Sequence, residues 1–96
     1  MKYLRQFNTF FNKALHDNLL NPSHISIYMA LFQCWSCNNF QNPVSITREE
    51  VMKLSKISSR ATYHRCLKYL ITMGYIKYVP SFNPYKASQI FIISLN

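Results

Sequence analysis

At 96 residues the chain has room for one modest hydrophobic core and none for a separate catalytic or effector domain. Eleven Lys and Arg against three acids, Asp17, Glu49 and Glu50, give a formal charge of +8, which favours a polyanionic partner: nucleic acid first, an anionic membrane surface second. The amino terminus lacks the unbroken apolar core of an export signal and no run of about twenty apolar residues occurs, so the sequence predicts a soluble, cytoplasmic protein whose three cysteines are reduced.

From Tyr3 onward Leu4, Phe7, Phe10, Phe11, Ala14, Leu15 and Leu19 recur at threes and fours, the pattern of an amphipathic helix within residues 1–20. Its stripe of Leu4, Phe7, Phe11, Ala14 and Leu15 exceeds what a small core needs, and a homodimer through this helix is expected. Asn21-Pro22 stops it and opens a second helix, Ser23 to Asn38, with Asn21 as the cap and proline in the first turn. Ile25, Ile27, Tyr28, Leu31, Phe32, Cys34 and Trp35 make that helix apolar nearly all round, so it is predicted to be buried on most sides. His24 is placed in solvent at its start, and His16 at the surface beside Asp17.

Val44-Ser45-Ile46 alternates like a short strand, and Thr47 with Glu50 predicts a capping box for a third helix whose inner face is Val51 and Leu54. Ser55 to Ser58 interrupts the pattern. Ser58 or Ser59 then caps a fourth helix that runs to about Met73 and ends at Gly74. Two helices joined by so short a turn have the dimensions of a helix-turn-helix. Tyr75 to Val79 and Gln89 to Ser94 are β-rich and flank the proline-containing loop Pro80 to Ser88, which predicts a hairpin with a long tip.

On the fourth helix Tyr63, Cys66, Leu67 and Leu70 share an inner face, while Arg60, His64, Arg65 and Lys68 project elsewhere. A helix apolar inside and basic outside is one that is held by its own fold and touches an anion. In a helix-turn-helix the first residues of the second helix reach base edges and cations along its flanks meet phosphates. Ser59, Arg60, His64 and Arg65 are assigned to the groove, Arg60 as a bidentate reader of guanine, and Thr62 and Lys68 to phosphates. Lys86, in the hairpin loop, is assigned a backbone contact.

The order helix, strand, helix, turn, helix, hairpin over 22–94 resembles a winged helix-turn-helix domain. The run Ser59-Arg60-Ala61-Thr62-Tyr63-His64-Arg65-Cys66-Leu67-Lys68-Tyr69-Leu70 with Gly74-Tyr75-Ile76 is similar to the recognition-helix segment of GntR-like and related bacterial regulators and of small winged-helix proteins of mobile elements and plasmids. Cys66 stands where alanine is common and Tyr63 where a β-branched residue is common. The resemblance implies a single α+β domain, mostly helical, with an added amino-terminal helix and a carboxy-terminal wing. It implies sequence-specific binding of double-stranded DNA as a small transcriptional regulator or mobile-element accessory factor. The competing reading is a winged-helix protein-interaction module.

Catalysis, metal and small-molecule ligands are not expected. The acids form no inward-facing pair, the single glycine rules out a glycine-rich phosphate loop, and His16, His24 and His64 share no motif with a nucleophile. Cys34-Trp-Ser-Cys37 has redox spacing but falls at the wrong end of its helix, where the dipole opposes thiolate; Cys34 and Cys37 are expected to be buried as small apolar groups.

Overall fold

The computed structural model describes residues 2–81 and 87–95. Four helices, α1 (Lys2–Leu15), α2 (Pro22–Cys37), α3 (Arg48–Ser55) and α4 (Arg60–Thr72), pack with three strands, β1 (Val44–Ile46), β2 (Ile76–Val79) and β3 (Ser88–Ile92), as an α+β domain.

The sheet is antiparallel with β3 in the middle, in the order β1-β3-β2. Ile76 pairs with Ile92 and Tyr78 with Ile90 in the expected hairpin, while Val44 pairs with Ile90 on the other side. Strand alternation puts Val44, Ile46, Ile76, Ile90 and Ile92 on the core face. Beyond β1 the Asn42 amide continues the ladder, donating to the Ile92 carbonyl and accepting from its amide, both at 3.0 Å.

Central to the core is α2, which buries Ile27, Tyr28, Ala30, Leu31, Cys34 and Trp35 as its all-round apolarity predicts. Asn21 caps it, its Oδ1 accepting from the Ser23 and His24 amides. The box is closed by an imidazole: His24 Nδ1 accepts from the Asn21 amide at 3.1 Å. His24 is therefore not the solvent residue expected; it is 5% exposed, with its ring edge-on to Tyr69 at 4.9 Å.

Helix α1 packs on α2 through aromatic rings, and its predicted stripe divides between core and solvent. Gln6 and Phe10 are its buried residues. Phe10 stacks on Tyr28 at 3.7 Å, and Tyr3 on Phe40 at the same distance. Gln6 is satisfied by distant groups: its amide donates to the Tyr28 hydroxyl and the Ile93 carbonyl, and its oxygen accepts from the Leu95 amide. Leu4, Phe11 and Leu15 remain exposed. The connection to α2 is tied to α4 by a 2.6 Å hydrogen bond from the Tyr69 hydroxyl to Asp17.

Helix α3 also differs from expectation in phase. Val51 and Ser55, four residues apart, face inward, and Leu54 is 47% exposed. Ser55 fits because its carbonyl takes the Ser26 hydroxyl and its own hydroxyl donates to the Met52 carbonyl. Half of the predicted capping box forms: Thr47 Oγ1 accepts from the Glu50 amide at 3.2 Å, but the Glu50 carboxylate meets the Cys34 thiol at 3.8 Å.

Candidate nucleic-acid interface

Both ends of the α3–α4 unit are fixed by the backbone. Helix α3 stops where Lys56 takes a left-handed conformation (φ 62°), with the Ile57 amide bonded to the Met52 carbonyl at 3.1 Å. Ser59 caps α4, its hydroxyl accepting from the Thr62 amide at 3.2 Å. At the far end Gly74 (φ 81°) supplies the left-handed residue of a Schellman motif, with Gly74 bonded to Ile71 and Tyr75 to Leu70. A turn of four residues thus links two helices of fixed length.

On α4 the predicted inner face is found: Tyr63, Cys66, Leu67 and Leu70 are buried. Opposite them Arg60, Ala61, His64, Arg65, Lys68 and Thr72 are exposed. At 100° per residue Arg60, His64 and Lys68 form one row along the helix, and Ala61, Arg65, Lys68 and Thr72 the row beside it. Ala61 leaves a low point between the cations. Thr62 is half-buried, and the Ser59 oxygen is engaged as the cap although its O–H can still donate.

No acid lies on α4. Asp17 is held by Tyr69, and that bond keeps its carboxyl below the ordinary value while pushing the Tyr69 phenol up to about 12. Glu49 is paired with Arg48 at 3.2 Å; a backbone hydrogen bond first, then Arg48 and Arg60, lower its pKa. The cations of α4 therefore face water without an opposing carboxylate on their own helix.

A cleft of about 280 Å³ continues this face toward the sheet, lined by Thr47, Arg48, Glu49, His64, Tyr78 and Ser88, so that it holds one carboxylate, the partner of Arg48. The Tyr78 hydroxyl donates to Ser88 between β2 and the start of β3 at 3.0 Å. On β2 Lys77 is exposed, its ammonium 5.4 Å from the Phe91 ring. Lys86, assigned to the hairpin tip, lies outside the described residues. Two cations next to this surface escaped the sequence reading: Arg48 in the cleft and exposed Lys56 in the turn. A basic residue at the start of α3 and another four before Arg60 were the available signals.

The chain matches no protein-family model, no curated protein and no solved structure. Its function is therefore a matter of its own geometry and charge.

Other features offer less. A cleft of about 760 Å³ opens between the start of α1, the α2–β1 connection and the end of β3, with no residue of α4 in its lining. Tyr3 stacks on Phe40 there, and the Gln6 and Asn42 amides are hydrogen-bonded to the backbone, while the indole N–H of Trp35, also in its lining, is buried without a hydrogen-bond partner among the described residues. Of the Cys34-x-x-Cys37 pair only Cys34 is buried; Cys37, the last residue of α2, is exposed, which corrects the expectation for it. Burial, and then Glu50, push the Cys34 thiol up to about 11, the opposite of a reactive thiolate. Among the described residues no three His, Cys, Asp or Glu side chains gather as a metal cage, and no helix is long and apolar enough to cross a membrane.

Proposed function

We propose that the chain is a winged helix-turn-helix protein that binds double-stranded DNA sequence-specifically, with α3 and α4 as the helix-turn-helix and β2–β3 as the wing. One observation carries the reading: the exposed side of α4 holds Arg60, His64, Arg65 and Lys68 and no acid, while its other side is anchored in the core by Tyr63, Cys66, Leu67 and Leu70.

An α-helix with its side chains is about 10–12 Å across and the major groove about 12 Å wide, so a helix exposed along its whole outer face can enter it. Arg60 and His64, in the first two turns, take base edges, and Ala61 lets the helix approach closely. Arg65 reads the groove from the adjoining row. The Ser59 O–H, still able to donate, reaches the groove at the helix start, while Lys68 and Thr62 meet phosphate. Arg48 and Lys56 add backbone contacts on the flanks, and Lys86, between β2 and β3 in sequence, is assigned a further one. Such a protein acts in the cytoplasm as a small transcriptional regulator or an accessory factor of a mobile element, by binding alone.

Selection of bound sites from a random duplex pool tests this. The expected result is an enriched motif containing guanine that Arg60→Ala no longer enriches at that position. A pool with no enrichment, together with no salt-sensitive binding of any duplex, would replace this reading with the protein-interaction module.

A further inference from the structure

The outer side of α1 presents a second surface of opposite character. Leu4 (55% exposed), Phe11 (38%) and Leu15 (77%) are open to water, with half-buried Phe7 between them. Leu4 and Leu15 are three turns apart, about 16 Å at 1.5 Å per residue, so the four side chains form one straight strip. No charge sits in it. At 100° per residue Asn8 and Asn12 border its outer edge, while Lys2, Arg5 and Lys13 project from the flank and back of the helix.

The strip is shaped differently at its two ends. At the Leu4 end it opens into an apolar groove of about 240 Å³ formed by Tyr3, Leu4, Phe7 and Phe32. At the other end Phe11 and Leu15 stand out as knobs. We propose that a second copy of the chain covers this strip, the two α1 helices packing antiparallel about a two-fold axis that passes through the strip midway between Leu4 and Leu15.

That axis sets the Phe11 and Leu15 knobs of each copy against the Leu4–Phe7 groove of the other, the reciprocal contact an isologous dimer requires. Antiparallel packing also opposes the two helix dipoles, which a parallel pair would align. Two chains of charge +8 repel each other, and the strip is the part of α1 that brings no cation to the contact. A 14-residue helix offers less than the roughly 800 Å² per partner of a standard interface, so the dimer forms at micromolar concentration. The inference is independent of the DNA reading, because none of these residues belongs to α4.

Sedimentation equilibrium of the full chain, of Leu4→Arg and of Leu15→Glu decides it. Both sites are more than half exposed, so the variants fold, which their melting curves verify. The wild-type chain is expected to dimerise in the tens of micromolar and each variant about tenfold more weakly. In an equimolar mixture the antiparallel pair sets Arg at position 4 against Glu at position 15 once and Leu against Leu once, so a heterodimer tighter than either variant alone is expected. A monomeric wild-type chain at about 200 µM, or a mixture no tighter than its components, would overturn the proposal.

Discussion

Helices α1 and α4 are both amphipathic and both lie at the surface, but only α1 leaves a continuous apolar strip in water. Each buries aromatic or aliphatic anchors, Phe10 in one and Tyr63, Leu67 and Leu70 in the other. Outside, α4 shows Arg60, His64, Arg65 and Lys68, whereas α1, besides Lys2, Arg5 and Lys13 on its flank and back, shows the apolar strip of Leu4, Phe11 and Leu15. An exposed cationic row is satisfied by water until an anion displaces its counterions; an exposed apolar strip is never satisfied by water. The two helices thus call for different kinds of partner, and the fold keeps the surfaces on separate elements.

The sharpest way to break the comparison is to cut the anchor of α1 and compare it with its neighbour. Phe10 is fully buried and stacked on Tyr28, so Phe10→Ala should destabilise the domain by about 3–5 kcal/mol in urea unfolding. Phe11→Ala, next in sequence but on the outer strip, should cost about 1 kcal/mol or less in dilute protein. Equal losses would mean that the strip is core and that α1 has no outward face to offer.

For α4 the contrast runs the other way. Arg60→Ala and Arg65→Ala should change unfolding stability by no more than about 0.5 kcal/mol, because both side chains are exposed. Each should weaken binding of the preferred duplex by about 1–3 kcal/mol and binding of random duplex by much less. A titration of each variant on the two duplexes gives both figures. Equal weakening on both would make the arginine a backbone anchor instead of a reader.

Between the two helices stands the α2 cap, which should carry a pH signature. Asn21→Ala should cost about 1 kcal/mol. Burial first, and then the Arg65 charge, hold the His24 imidazole below its ordinary value of 6.5, against a smaller opposing pull from Asp17. The unfolded chain then takes the proton first, so stability present above about pH 6.5 is lost as pH falls toward the lower folded value. Protonated Nδ1 could no longer accept from the Asn21 amide. Chemical unfolding at pH 7 and pH 5 should show a drop in the wild-type chain that is smaller in His24→Gln; identical drops would place the titrating group elsewhere.

The sequence exposed α4 more fully than α1 for a simple reason. On α4 Tyr63, Cys66, Leu67 and Leu70 share an arc of about 100° that holds no cation, and they face in as expected. On α1 the apolar arc from Phe10 through Tyr3, Ala14 and Phe7 to Leu15 is too wide to say which edge is core. The residue that decides it, Gln6, is polar, and its partners Tyr28, Ile93 and Leu95 lie 22 to 89 positions away. The same blindness explains His24 and Ser55: polar side chains buried because a backbone group awaits them give no apolar signal. Short α3 compounds this, since eight residues contain too few periods to separate Leu54 from Ser55 as the inward position. The hairpin was legible, but the pairing of β1 with β3 was not, because three alternating residues name no partner.

The most direct test of the α4 assignment is the salt dependence of duplex binding by the wild-type chain and by a variant with Arg60→Ala, Arg65→Ala and Lys68→Ala together. Log affinity should fall linearly with log salt for the wild-type chain, and the slope should be shallower in the triple variant by about one unit for the phosphate contact of Lys68, with affinity for the preferred duplex lowered further by the lost Arg60 and Arg65 base contacts and stability unchanged. An unaltered slope and affinity in the folded triple variant would show that DNA, if bound, is bound elsewhere, and would contradict the account.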